Sequence, residues 1–216
     1  MSDSYRGAVR QLLRDRLLDA GRAQLSDRPW AEVTMAEIAA GAGVSRQTLY
    51  NEFGSRDEFA QALIIREGSR FLDGVEDAID RHADDALAAL TAALEQFLTV
   101  AQADPFVRLL LGDDGTGGML PLVTTQSRPV LEWAAARLTG AMDAHWPGVP
   151  TEDLEALADT LVRLAISHVA APRELPAQTA ASVTRLLAPW VERILAGGGR
   201  PMSAAGSGGR GESRPD

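Results

Sequence analysis

The amino-acid sequence predicts an all-α fold of about nine helices, and three observations support this prediction. First, apolar residues recur at intervals of three and four along most of the 216 residues, the period of helices with one buried face. Second, the sequence contains no sustained two-residue alternation of β-branched and aromatic residues bounded by hairpin turns. Third, helix-stopping residues bound the apolar segments, such as Pro172 after 151–171 and Gly197 after 176–196. The chain is also long enough to bury a sizeable core, so folding requires neither disulfides nor a structural metal.

The composition removes several classes of enzyme. Cysteine is absent, which excludes thiolate nucleophiles, and all 21 basic residues are arginine, which excludes a Schiff-base or phosphate-loop lysine. We therefore predict no catalytic residues and no cofactor, and we do not expect an enzyme. The charged first twenty residues do not form a signal peptide, and no uncharged segment reaches the roughly 18 residues of a membrane helix. These features predict a cytoplasmic protein.

The first helix is predicted over about residues 5–25, and two short helices follow it. Thr34 and Glu37 form a capping box, so the first short helix should start at Met35. Small residues then permit a tight turn, after which Ser45 can cap the second short helix. Two short helices joined in this way predict a helix-turn-helix.

Ser55 and Glu58 repeat the capping box and predict the start of a long fourth helix. Five further helices are predicted, with a loop at 112–118 between the second and third of them. Their expected ranges are about 84–103, a short helix from Asp104, about 127–146, 151–171 and 176–196.

The chain divides into three regions by charge and composition. Residues 1–66 contain nine arginines and nine acidic residues, so the whole formal net charge of −9 lies in residues 67–216. We expect a helix-turn-helix domain over 1–66 and a second helical domain over 67–196. The Gly-rich segment 197–216 is predicted to be a flexible tail, either a solvated extension without function or an interaction segment.

The second short helix carries a polar face that suits double-stranded DNA. Arg46 can pair bidentately with guanine, and Gln47 can pair with adenine. Asn51 belongs to the same face. The side chains suited to phosphate contacts are Thr34, Ser45, Thr48, Tyr50 and Arg56. The alternative interpretation is a solvated face on which Tyr50 is a packing residue.

This segment resembles the N-terminal domain of TetR-family transcriptional regulators. The positions that carry the resemblance are Thr34, Ile38-Ala39, Gly43-Val44-Ser45, Thr48-Leu49-Tyr50, Phe53 and Asp57-Glu58-Phe59. The sequence departs from the family pattern at three places. Glu52 stands where the family often has an aromatic or basic residue, Arg56 replaces the usual lysine, and Arg28-Pro29-Trp30 replaces a glycine-aromatic turn. Glu52 and the charge-neutral first domain together predict modest non-specific affinity for DNA.

The resemblance implies that residues 67–196 bind a small effector and form a homodimer, and that the protein is a ligand-responsive regulator, most often a repressor. The sequence is also similar to family members that respond to fatty acyl chains or alkanes. The candidate lining residues of an apolar pocket are Phe71, Phe97, Phe106 and Trp133, and Arg108 or Arg137 could meet a ligand carboxylate. The alternative is that the aromatic residues are ordinary core and the arginines ordinary surface.

The last two helices are apolar over more than one stripe, which predicts pairing with a second copy as a four-helix bundle. A dimer would also let two helix-turn-helix units bind the two half-sites of a palindromic operator. The predicted interface residues are Leu157, Leu161, Leu164, Val183, Leu187, Trp190, Val191 and Ile194. Alternatively, these faces belong only to the core of one chain.

No metal site is predicted. His82 is followed by Asp84 and Asp85, but acidic residues are expected at the start of a helix, and the loop at 112–118 lacks the ligand rhythm of a calcium site. The main alternative function is a DNA-binding or interaction module that responds to no small molecule.

Overall fold

The computed structural model describes residues 2–26, 28–104, 106–107 and 128–197, and these residues form eight α-helices, one 3-10 helix and no strand. This confirms the all-α prediction. The predicted loop at 112–118 and residues 198–216 of the predicted tail lie outside the described residues. The helices are α1 (Ser2–Gln24), the 3-10 helix (Trp30–Glu32), α2 (Met35–Gly41), α3 (Arg46–Phe53), α4 (Arg56–Arg81), α5 (Ala86–Ala103), α6 (Arg128–His145), α7 (Thr151–Ala170) and α8 (Pro176–Gly197).

Side-chain caps start the helices where the sequence predicted them. Thr34 and Glu37 form the complete capping box at the start of α2, and the Ser45 hydroxyl accepts a hydrogen bond from the Thr48 N–H. At α4 only half of the predicted box forms. The Ser55 hydroxyl accepts from the Glu58 N–H, but the Ser55 N–H donates to the Phe53 carbonyl at 3.1 Å.

We call residues 2–66, which comprise α1 to α3 and the first part of α4, the head. Its core is centred on Phe59, which is fully buried, stacks on Trp30 at 6.3 Å and meets the edge of Phe53 at 4.8 Å. Helix α1 passes closely over this ring at Gly21, where an added Cβ would lie 2.7 Å from the Phe59 Cζ. Glycine at this position therefore sets the distance between α1 and α4.

We call the described residues from 67 onward the body. Helix α5 is its central helix and packs against α4, α7 and α8, while α6 packs against α4 and α7. By length and composition alone α5 could also cross a membrane. In the structure its inner face instead contributes a run of alanines and leucines to the core of the body. Helix α8 continues through an internal proline, Pro189.

A continuous helix and buried side chains connect the head and the body. Helix α4 runs without interruption across the predicted boundary at residue 66. In addition, Phe106 and Val130 belong by sequence to the body but are buried in the core of the head. The two regions therefore share core residues.

Candidate DNA-binding surface and apolar pocket

A tight turn places α3 after α2. The turn needs a residue with positive φ, which is Gly43 at +69°, and it is closed by a hydrogen bond from the Val44 N–H to the Ala39 carbonyl at 2.9 Å. Arg16 on α1 donates to the Ala42 carbonyl at 2.8 Å and holds the turn against α1. Inside, Leu49 is fully buried. The turn and this buried contact fix which face of α3 is directed outward.

The outward face of α3 carries the side chains predicted to meet DNA. Four of these side chains form two contacting pairs, and the two residues of each pair lie one helical turn apart. Arg46 lies over the Tyr50 ring, with its guanidinium carbon 5.2 Å from the ring centroid, and Gln47 donates from Nε2 to Asn51 Oδ1 at 2.8 Å. Thr48 is half-buried beside the Ser45 cap. Five of the eight predicted DNA contacts therefore lie on α3, and Ser45 is its cap.

Thr34 lies at the start of α2 and is exposed. Its hydroxyl donates to Glu37 Oε2 at 2.7 Å, and Arg28 contacts Glu37 Oε1 at 3.0 Å. Hydrogen bonds from the side chain and then the backbone of Thr34, followed by the one from Arg28, lower the pKa of Glu37 to about 2. The Glu37 carboxylate of this capping box is therefore ionised at neutral pH. Arg28, which belongs to one of the departures from the family pattern, supports this cap.

Arg56, at the start of α4, is held by Trp30. Its guanidinium carbon lies 4.5 Å from the Trp30 ring centroid, and the group donates to the Trp30 carbonyl. An arginine can stack on an indole and donate to a carbonyl at the same time, which a lysine does less well. Two departures from the family pattern, Arg56 and Trp30, are thus partners in the structure. A phosphate contact by Arg56 stays a prediction.

Glu52, near the end of α3, is bound by α1. Arg10 approaches Glu52 Oε2 at 2.8 Å from Nε, and Arg14 approaches Oε1 at 3.2 Å. The Glu52 side chain is only 8% exposed. Arg14 also lies over the Phe53 ring at 4.4 Å. Glu52 thus forms ion pairs with two arginines of the head across about 40 residues, which helix periodicity does not reveal.

The body contains an apolar cavity with a volume of about 140 Å³ between α4, α5, α6 and α7. The four predicted aromatic residues, Phe71, Phe97, Phe106 and Trp133, all line it. Every described residue of its wall is apolar. The prediction did not include the other wall positions, among them Ile64 and Leu161, because helical spacing indicates a buried stripe without indicating a cavity beside it.

Arg137, one of the two predicted arginines, is not part of this wall. Arg137 is turned away from the cavity, so the prediction for it is wrong. Its guanidinium contacts Glu76, Asp73 at 3.0 Å and the Ser69 carbonyl at 3.3 Å. The hydrogen bond with Glu76 raises the pKa of Arg137 above its ordinary value. Arg108 lies outside the described residues.

The predicted interface residues separate into two groups. The first group is buried within the single chain, so these side chains are not available to a partner and the prediction is corrected for them; its members are Leu157, Leu161, Val183, Val191 and Ile194. Leu164, Leu187 and Trp190 are half-buried. Leu186 was not predicted, and it is 78% exposed on α8. A core stripe and an interface stripe have the same helical period, so the sequence did not separate them.

Within the described ranges, no three His, Asp or Glu side chains stand close enough together to hold a metal ion. Asp85 is the cap of α5 and accepts from the N–H groups of Leu87 and Ala88. His145 contacts Asp80 at 2.7 Å.

Comparison with known proteins matches both regions of the chain. Residues 17–63 match the model for bacterial regulatory proteins of the tetR family, and residues 85–189 match the C-terminal domain of the bacterial tetracyclin repressor. The HTH-type transcriptional regulator AlkX of Mycobacterium tuberculosis is 38% identical over 189 residues, which cover 88% of this chain and 90% of that protein. The chain belongs to the TetR family.

Two solved structures have a similar fold. The TetR-family repressor AlkX from Dietzia sp. strain DQ12-45-1b, implicated in biodegradation of n-alkanes, is 33% identical with a TM-score of 0.71, over 84% of this chain and 96% of that chain. The fatty acid degradation regulator FadR from Bacillus halodurans is 18% identical with a TM-score of 0.51, over 81% of this chain and 93% of that chain. This second likeness concerns the fold alone. The chain is therefore a TetR-family transcriptional regulator similar to AlkX.

Proposed function

We propose that this TetR-family regulator is a cytoplasmic homodimeric repressor that binds a palindromic operator and is released by a small apolar or amphipathic effector of the fatty acyl or alkane type. In this proposal residues 1–66 bind DNA and residues 67–196 bind the effector and the second copy. The observation that carries the proposal is the outward polar face of α3, on a head whose core shares residues with the wall of an apolar cavity.

The DNA-binding part is supported by the chemistry of α3. Arg46 and Gln47 are residue types that read guanine and adenine in the major groove. Their contacts with Tyr50 and Asn51 restrict their rotamers before DNA arrives, which reduces the entropy lost on binding. Thr34, Ser45, Thr48 and Arg56 are proposed to contact phosphates on either side.

The effector class is supported by the cavity. A wall of apolar residues, with two aromatic rings meeting at 6.3 Å between Phe71 and Phe97, favours a hydrocarbon chain. A relative implicated in n-alkane biodegradation supports the same class. The homodimer is supported by apolar surface on α7 and α8, which consists of the exposed Leu186 and the half-buried Leu164 and Trp190.

DNA binding is tested by selecting duplexes from a random-sequence pool with the full-length protein. We expect a palindrome with half-sites about one helical turn apart, or a small multiple of it. Gln47→Ala should relax the preference at one base pair by about 1–3 kcal/mol, whereas Gln178→Ala, an exposed change on α8, should leave it unaltered. Recovery of no preferred sequence by the wild type would remove the proposed function.

The effector is tested with three probes of equal chain length: n-decane, 1-decanol and decanoic acid. The measured quantity is the Kd of the protein for the selected duplex with and without each probe. If at least one probe weakens DNA binding, the result supports a repressor released by its effector. The probe that acts then shows whether the effector ends in a methyl group, a hydroxyl or a carboxylate. If the duplex binds equally well with all three, the alternative module without such an effector replaces the proposal.

The dimer is tested by sedimentation of Leu186→Glu. A carboxylate at this exposed leucine would be buried by a partner, so we expect the variant to be a monomer at concentrations where the wild type is a dimer. Ala177→Glu is the matched control, because Ala177 is exposed on the opposite side of α8. Equal molecular masses for wild type and Leu186→Glu would contradict this interface.

A further inference from the structure

The cavity and the core of the head share part of one wall. Ile64, Phe106 and Val130 are buried in the head core, and the same three residues line the cavity. Phe106 is the aromatic member, and it is 2% exposed. The Asp104 carboxylate fixes the backbone on which Phe106 sits, accepting from the Phe106 N–H at 2.6 Å. A molecule that fills the cavity therefore contacts a residue of the head.

On the side of the head, Phe106 is covered by a cation from α1. The Arg22 guanidinium carbon lies 4.6 Å from the Phe106 ring centroid. The same guanidinium contacts Glu67 Oε2 at 3.4 Å from Nε and approaches the Asp104 carboxylate at 3.8 Å. Arg22 thus joins the ring in the cavity wall to two carboxylates, one on α4 and one at the end of α5.

Arg22 is one of the cations that pair with the buried carboxylate of Glu67. Glu67 is 5% exposed, and a carboxylate removed from water in this way requires cationic partners. Arg66 contacts Glu67 Oε1 at 2.9 Å, and Arg22 and Arg70 approach Oε2 at 3.4 and 3.7 Å. Of these three arginines only Arg22 stacks on an aromatic ring of the cavity wall as described, and Arg70 is 79% exposed.

Helix α1 carries the effect to the turn before α3. Arg66 donates to the Asp15 carbonyl at 3.2 Å and to Asp19 Oδ1 at 2.8 Å, which binds the middle of α1 to α4. Arg16, the residue after Asp15, donates to the Ala42 carbonyl in the turn of the helix-turn-helix. A change in the position of α1 at Arg22 therefore reaches the residues that orient α3.

We propose that Arg22 is the positioning residue through which occupancy of the cavity alters the orientation of the helix-turn-helix. An effector that displaces the Phe106 ring removes the stack on Arg22, and Arg22 then follows Glu67 and Asp104 alone. The effector acts because it binds this displaced arrangement better than the DNA-binding one. This inference rests on the proposed function, since it names the contact by which that regulation occurs.

The test compares Arg22→Gln with Arg70→Gln, because both lose an arginine beside Glu67 and only the first loses the contact with Phe106. The readout is the Kd for the selected duplex with and without whichever of the three probes acts on the wild type. A coupling of ordinary size weakens the wild type and Arg70→Gln by about fivefold or more, while Arg22→Gln should change by less than about twofold. Phe106→Leu, which removes the ring and keeps Arg22 beside Glu67, replaces Arg22→Gln if the latter does not fold.

A second arm uses no effector and is a double-mutant cycle between Phe106→Leu and Arg22→Gln. Its readout is the Kd for the selected duplex, and neither residue is among the proposed DNA contacts. If Arg22 acts through Phe106, each single variant should change this Kd by more than about twofold, and the double variant should bind as Arg22→Gln binds alone.

Additive effects in the cycle, or an undiminished probe response in Arg22→Gln, would overturn the role of Arg22. If no probe acts on the wild type, the proposed effector fails, and the cycle still decides whether Arg22 and Phe106 act together.

Discussion

The ion pairs of Glu52 lead to a quantitative prediction about DNA binding. Glu52 lies near the end of α3 and forms ion pairs with Arg10 and Arg14 of α1. Replacing it by glutamine keeps the shape of the side chain and removes one negative charge from a head whose formal charge is zero. We expect Glu52→Gln to bind non-operator DNA more tightly at low salt and to lose that affinity faster as salt rises.

The structure sets the size of the effect. The Arg10 side chain is 68% exposed, whereas Arg14 is 35% exposed and stacks on Phe53. We therefore assign one new phosphate contact to Arg10 and none to Arg14, which gives two contacts in the proposed dimer. Each contact steepens the dependence of log affinity on log salt by about 0.9, so the slope should become about 1.8 steeper. Between about 50 and 200 mM salt, the affinity of the variant should fall about tenfold more than that of the wild type.

The assay is fluorescence anisotropy with a labelled duplex of unrelated sequence, titrated at several salt concentrations. Glu95→Gln is the matched control, because it makes the same change of charge at an exposed position on α5. A slope for Glu52→Gln no steeper than that of Glu95→Gln would show that Arg10 is not released to meet phosphate, and the reasoning would fail.

Three further predictions concern the head and the cavity. Gly21→Ala should destabilise the protein by about 1–3 kcal/mol in urea unfolding, since the added Cβ would meet the Phe59 ring. Gly7→Ala on the same helix should instead stabilise it by up to about 1 kcal/mol, because the added Cβ would have no neighbouring group within 4 Å. Glu37, whose pKa falls from 4.5 unfolded to about 2 folded, should stabilise the wild type relative to Glu37→Gln above pH 4.5, and unfolding measured across pH should show this advantage disappearing as pH falls toward 2. Phe97→Ala should weaken binding of whichever probe acts, as measured by calorimetry, whereas Arg137→Gln should not; an equal loss in both would return Arg137 to the cavity.

Local signals in the sequence predicted much of this fold. The caps at Thr34 and Ser45 depend on residues three positions apart, so their chemistry is visible in the sequence. The match of the segment to TetR-family proteins was visible for the same reason. The four aromatic residues of the cavity wall were predicted because large apolar side chains on helices are rarely left in water.

Long-range pairing was the part that the sequence did not reveal. Arg137 lies 61 residues from Glu76, and Arg10 lies 42 from Glu52, so only the folded chain brings these charges together. Five predicted interface residues turned out to be core, because a helix face that meets its own chain has the same period as one that meets a second copy. Local sequence patterns identify buried faces, and they do not specify which surface buries them.

The three residues common to the head core and the cavity wall constrain how such a regulator can change. A head cut from the chain at residue 66 would lack Phe106 and Val130 from its core and would end in the middle of α4. Head and body should therefore unfold in one cooperative transition. Substitutions that adapt the cavity to a new ligand at Ile64, Phe106 or Val130 also alter the stability of the DNA-binding unit. Under the proposed function, ligand specificity is free to diverge mainly at the wall positions that do not belong to the head core.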